Sequence, residues 1–157
     1  MNKRLTKHHR QILALLQKNA RMTTAEIASR ISLSESATSR KIKRMEMDGI
    51  FKASVEINHQ ALGICFTCNV LVKLASNADE CTKAFIEKIN KYREVSNCQL
   101  INAGFDFQFT THTRDIEEFR AFYSKMSNQI GEIKDIQWHV VLNQVKSAAL
   151  DVSYFLR

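Results

Sequence analysis

A chain of 157 residues, 45% hydrophobic and 25% charged, has room for one domain or two small ones, and its net charge of +7 points to an anionic partner. No apolar run approaches the ~20 residues that cross a bilayer. The basic start MNKRLTKHHR lacks the apolar stretch of a secretory signal, and four cysteines do not make a disulfide framework in a chain this long, so a reduced, cytoplasmic protein is expected.

The charge is lopsided. Residues 1–52 carry twelve Lys/Arg against four Asp/Glu, a surplus of +8, and the remainder carries −1. This distribution predicts a polyanion-binding module joined to a near-neutral one.

In chain order, Thr6 is placed to cap a first helix with Ile12, Leu13, Leu15 and Leu16 on its apolar side, ending near Asn19. Thr23 and Glu26 have the spacing of a capping box and start a short helix with Ile27, Ala28 and Ile31 inward. Ser32-Leu33-Ser34 reads as a tight turn with Leu33 buried and Ser34 as the next cap. A third helix is predicted over residues 35–48, with Thr38, Ile42 and Met45 inward and Ser36, Ser39, Arg40 and Lys43 outward. Gly49 is suited to end it in the left-handed region, and residues 50–55 are expected as a strand, a wing or hinge. Two helices joined by a short turn, the second polar and basic outward, fit a reader of the major groove. Small Ser side chains allow close approach, and Arg and Lys supply base or phosphate contacts. The candidate DNA-binding residues are Ser34, Ser36, Ser39, Arg40, Lys41, Lys43 and Arg44.

Past residue 64 the pattern changes. Residues 65–74 read as a strand, 77–91 as a helix with Cys81, Ala84, Phe85, Ile86 and Ile89 apolar, and 95–101 and 105–111 as strands around a turn at residues 102–104. Phe105, Phe107 and Phe109 alternate and predict a strand with one aromatic face. A helix follows to Gln129 with Ile116, Phe119, Phe122, Tyr123 and Met126 inward, then a last strand over 133–145. The order βαββαβ describes a ferredoxin-like sandwich. The fold class is therefore α+β: a winged helix-turn-helix at residues 1–53, a linker at 54–63 and a ferredoxin-like domain at 64–157. The aromatic strand and Trp138 are expected to leave apolar surface on the sheet that drives dimerisation.

Cys65 and Cys68 resemble half a zinc or redox motif, but positions i and i+3 of a strand point to opposite faces, so core cysteines are expected. His8, His9, His59, His112 and His139 lack ligand spacing, and no catalytic, metal or cofactor site is predicted.

Several strings, in order and spacing, resemble the Lrp/AsnC group of transcription regulators: ILALLQKNAR at 12–21, EIASRISLS at 26–34, RKIKRMEMDGI at 40–50, EINHQALG at 56–63, AGFDF at 103–107 and VLNQVKSAAL at 141–150. The resemblance spans nearly the whole chain. It implies a sequence-specific regulator of double-stranded DNA, dimers that pair through their sheets and often assemble into octamers, and an amino-acid effector bound between sensing domains near a Gly-x-x-Asp loop. Carried onto this sequence, that loop is Ala103, Gly104, Phe105 and Asp106, with Asp106 placed to accept an ammonium; Gln137 and His139 complete the expected effector site. Ala103 stands where the family has glycine, and Gln137-Trp138-His139 where small hydroxyl residues are common. This bulk predicts a small or atypical ligand, or none, with leucine-sized amino acids disfavoured. Two alternatives accompany this reading. One is a tetrapyrrole decarboxylase of sirohaem type with the same two-domain architecture. The other is a DNA-organising protein without an effector.

Overall fold

The computed structural model describes residues 5–76, 78–102, 104–131 and 133–146. Ala103, expected in the effector loop, and residues 147–157, expected at the end of the second domain, lie outside the described residues. The chain divides into two compact units, with the boundary along the described chain between Glu56 and Ile57.

In the first unit, α1 (Lys7–Lys18), α2 (Thr24–Ile31) and α3 (Glu35–Met47) each begin at a side-chain cap. The Thr6 hydroxyl accepts from the His9 N–H, and the His9 ring accepts from the Thr6 N–H in return. Thr23 and Glu26 form the expected reciprocal pair at 3.2 and 2.7 Å. These bonds satisfy amide donors that a helix start leaves open. Thr23→Ala is expected to lower the melting free energy of this unit by about 1 kcal/mol in urea denaturation, with the slope unchanged. Ser32 takes the left-handed conformation (φ 55°) that turns the chain between α2 and α3, and Gly49 (φ 67°) ends α3 as expected. Ile12, Ile27, Ile31 and Met45 form the buried core. Thr38, wholly buried on α3, satisfies its hydroxyl by donating to the Ser34 carbonyl at 3.0 Å.

Two local expectations differ. Leu33 is half-buried, flanking the core. The strand expected over residues 50–55 does not form; residues 51–58 have no regular hydrogen-bond pattern. An isolated extended segment gains no ladder bonds, and no strand lies among the described residues of this unit to pair with it.

The second unit follows the expected order: β1 (Phe66–Leu74), α4 (Asp79–Ile89), β2 (Val95–Leu100), β3 (Phe107–Thr113), α5 (Ile116–Gln129) and β4 (Ile133–Val140). The sheet runs β2-β3-β1-β4 with every neighbouring pair antiparallel. This is the ferredoxin-like arrangement. Alternation along β1 sends Cys68, Val70, Val72 and Leu74 toward α4 and α5, where they meet Phe85, Ile89, Phe119, Phe122 and Met126.

The register corrects one expectation. Phe107 and Phe109 are the buried positions of β3, stacked beneath the helices: Phe107 lies 4.3 Å from Phe85, centroid to centroid. They leave no aromatic face for a partner. The opposite face of the sheet carries Thr67, Asn69, Leu71 and Lys73 of β1, with Gln108, Thr110 and His112 opposite them on β3 and Asp135, Gln137 and His139 on β4. That face is polar, with Leu71 its one large apolar side chain among these strands. Phe105, counted with the aromatic strand, precedes β3 and is half-buried. Ile86, expected inward on α4, is 41% exposed, because the inward line of that helix runs through Cys81, Phe85 and Ile89.

Candidate DNA interface and effector site

In the first unit α3 presents Ser36, Arg40 and Lys43 at i, i+4 and i+7 as an exposed line, with Ser39 half-buried beside it. The side chains of Arg40 and Lys43 are in no ion pair with the described residues. They are available to an outside anion. The other expected readers differ in setting. The Ser34 hydroxyl accepts from the Ala37 N–H at 3.2 Å and lies 3.3 Å from the Ser36 hydroxyl, so its first task is to cap α3. Arg44 reaches forward to Asp48 at 3.2 Å, a pair worth little in stability but one that draws the guanidinium toward the end of the helix. Lys41 is half-buried and close enough to His9 of α1 to help burial hold that ring below its ordinary pKa.

In the second unit, the loop before β3 is tied down at four points. The Asp106 N–H donates to the Val72 carbonyl at 2.9 Å, and its carbonyl accepts from the Ile101 N–H at 2.8 Å. One carboxylate oxygen is 2.8 Å from the Lys73 ammonium; the other accepts from the Leu74 N–H at 2.8 Å. The Lys73 hydrogen bond, and then the Leu74 N–H, hold the carboxyl below its ordinary range. A depressed carboxyl contributes its latch above the ordinary carboxylate pKa and loses it as the pH falls through the lowered value. A carboxyl carbon NMR titration of Asp106 is therefore expected to show its midpoint below the ordinary carboxylate range, and Lys73→Gln should move that midpoint up.

Gln137 stands opposite Leu71 and His139 opposite Asn69, both exposed on the polar face that carries Lys73. Trp138 points to the other side, opposite Val70, 5.4 Å from the Phe119 ring. It packs at the rim of the helix layer, so it does not narrow a site that includes Gln137 and His139. This corrects the expectation that all three residues crowd one pocket. Gly104 is exposed and Phe105 half-buried. Cys65 is exposed while Cys68 is buried, its thiol pushed up to about 11 by desolvation, so the two do not share a site.

Two features escaped sequence reasoning. One is Lys73, which its strand position alone does not mark as the partner of Asp106. A polar relay also crosses the sheet: Thr67 to His112 at 3.1 Å, His112 to Ser96 at 2.9 Å, with the His59 ring 4.9 Å from His112. Burial first, and His59 second, lower the pKa of His112. The signal for both was present: Thr67, Asn69 and Lys73 alternate with Cys68, Val70, Val72 and Leu74, which marks the solvent face of β1 as polar.

The sequence profile of winged helix-turn-helix DNA-binding domains matches residues 5–52, and that of the Lrp/AsnC ligand binding domain matches residues 67–150. An HTH-type transcriptional regulator of Sinorhizobium fredii is 30% identical over 137 residues, covering 87% of this chain and 81% of its own. An AsnC family transcriptional regulator from Agrobacterium tumefaciens superposes with a TM-score of 0.87 at 26% identity, covering 96% of this chain and 99% of its own. A transcriptional regulator from Neisseria meningitidis, solved as an L-Met complex, superposes with a TM-score of 0.88 at 23% identity, covering 97% and 99%.

Proposed function

The chain belongs to the Lrp/AsnC family of DNA-binding transcriptional regulators with a ligand-binding domain, and we propose that it acts as a dimer whose two α3 helices read a pseudo-palindromic site. The exposed line Ser36, Arg40, Lys43 on a helix whose start is fixed by a cap carries this reading. One helix of this kind reads a few base pairs, so useful specificity needs two half-sites about 10 bp or a multiple apart. The division of labour is a winged helix-turn-helix at residues 1–53, a linker at 54–63, and a ligand-binding and assembly domain at 64–157.

Large apolar side chains flanking the second unit support self-association: Ile57, Leu62, Leu142 and Val145 are 57, 65, 93 and 94% exposed. Covering them in a dimer removes that surface from water. Light scattering of the full chain at micromolar concentration is expected to give a dimer or a multiple of one; a monomer would end this part of the reading.

The effector is an amino acid or a related metabolite held near Gly104, Phe105 and Asp106, with Gln137 and His139 on the neighbouring strand face. The L-Met bound by the Neisseria protein supports that ligand class. A ligand bound between sensing domains biases the assembly, and with it the spacing of the α3 pairs. The decarboxylase alternative is not favoured: the profiles matched are those of DNA binding and of regulatory ligand binding. Genome-wide mapping of bound sites, with a gel-shift assay on the gene's own promoter region, tests the central claim. Binding without sequence preference would refute it.

A further inference from the structure

Asp106 is the acceptor that the proposed effector site offers to an ammonium, and it already holds one. Its carboxylate meets the Lys73 ammonium at 2.8 Å and the Leu74 N–H at 2.8 Å. The backbone of the same residue is bonded to Val72 and Ile101, and its second carboxylate oxygen accepts from the Leu74 N–H, so the carboxylate is anchored at this place on the sheet. Lys73 reaches it from the polar sheet face, the face that also carries Gln137 and His139. The Lys73 side chain is 30% exposed and that of Asp106 17%, which leaves the ion pair partly shielded from water and screened less by salt than a fully exposed pair.

We propose that Lys73 is the specificity-determining residue of this site: a tethered ammonium that occupies the position an α-amino ligand requires, and so raises the concentration at which any amino acid acts. The inference rests on the reading of Asp106 as an effector residue. Its logic is competition. A group held on the same short framework presents itself at an effective concentration in the millimolar range or above. A free amino acid binds only to the fraction of molecules in which the carboxylate is vacated, so its apparent Kd rises by the inverse of that fraction. With Lys73 in place nine-tenths of the time, the rise is about tenfold. A second ammonium entering while Lys73 remains would sit beside a like charge at hydrogen-bond range from the same carboxylate, which disfavours joint occupancy. Asp135, opposite Lys73 on β4, is an acidic residue to which the displaced ammonium can turn. The exchange therefore has somewhere to go.

The test uses the full chain and the twenty amino acids singly, read by thermal shift over micromolar to millimolar concentration. Lys73→Gln and Lys73→Met remove the charge at a position on the sheet surface, and Lys73→Arg keeps it. Gel shift on a bound promoter fragment checks that each variant is folded and binds DNA. The expected result is that both neutral variants respond to at least one amino acid at a concentration at least tenfold lower than the wild type needs. Lys73→Arg should behave as wild type, and Asp106→Asn combined with Lys73→Gln should lose the gain. If the wild type responds to an amino acid, Asp106→Asn abolishes that response, and neither neutral Lys73 variant improves it, the tethered-ammonium proposal falls and the effector site stands. If neither wild type nor the neutral variants respond to any amino acid, both fall together.

Discussion

Replacing Arg40 by alanine is expected to cost about 1–3 kcal/mol on a specific site and to relax the preference at one base pair, as the loss of a bidentate contact to guanine does. Arg40 stands exposed on α3 in no ion pair with the described residues, so it pays little to leave protein contacts for a base edge. Lys43, one turn further along the same line, has a different expected signature. Lys43→Ala should weaken binding to all sequences about equally and reduce the slope of log K against log salt by about one, because a released phosphate contact carries counterions and no sequence. Arg44→Ala serves as the comparison: its side chain is engaged by Asp48 toward the end of the helix, and its loss should affect specificity least. Titration of a labelled operator at several salt concentrations separates the three. An Arg40→Ala/Lys43→Ala double variant that binds its operator as tightly as wild type would show that this helix is not the reader.

The largest stability effect is expected at Phe119. It is 1% exposed on α5 and touches the rings of Phe66, Phe122, Tyr123 and Trp138, at centroid separations between 5.4 and 6.3 Å. Truncation to alanine removes the body of that cluster and leaves a cavity beneath the sheet, which costs about 3–5 kcal/mol. For a unit of this size that corresponds to a fall in Tm of roughly 12 °C or more. Trp138 is the chain's one tryptophan and sits against Phe119, so its fluorescence reports unfolding of the second unit. Ile86→Ala is the matched control. Ile86 is 41% exposed on α4, and its truncation should shift the transition by a small fraction of that amount. Equal effects at the two positions would mean that α5 does not pack as described.

Features of this protein that reach over three or four residues were legible in the sequence, because the bonds that make them are local. Thr6, Thr23 and Ser34 cap their helices through the backbone three residues on. Gly49 takes the left-handed turn, and the alternation of β1 and β3 separates core from surface within each strand. The charge surplus before residue 53 is a matter of composition, and the line of Arg40 and Lys43 on α3 follows from helix periodicity.

What needed the tertiary structure was which side of each alternation the helices cover, and which distant residues meet. The phenylalanines of β3 looked like a free apolar face until the register set them opposite Val70 and Val72, under α4 and α5. Alternation alone parts Trp138 from Gln137 and His139; the register that sets Trp138 opposite Val70 and against Phe119 decides that it is Trp138 that faces the helices. Residues 50–55 have the composition of a strand, but a strand exists by virtue of a neighbour, and the described residues of the first unit supply none. Lys73 and Asp106 lie 33 residues apart, and their ion pair is created by the antiparallel register that lays the start of β3 against the end of β1. A sequence names both charges; only the closed sheet brings the ammonium to within hydrogen-bond distance of the carboxylate it occupies.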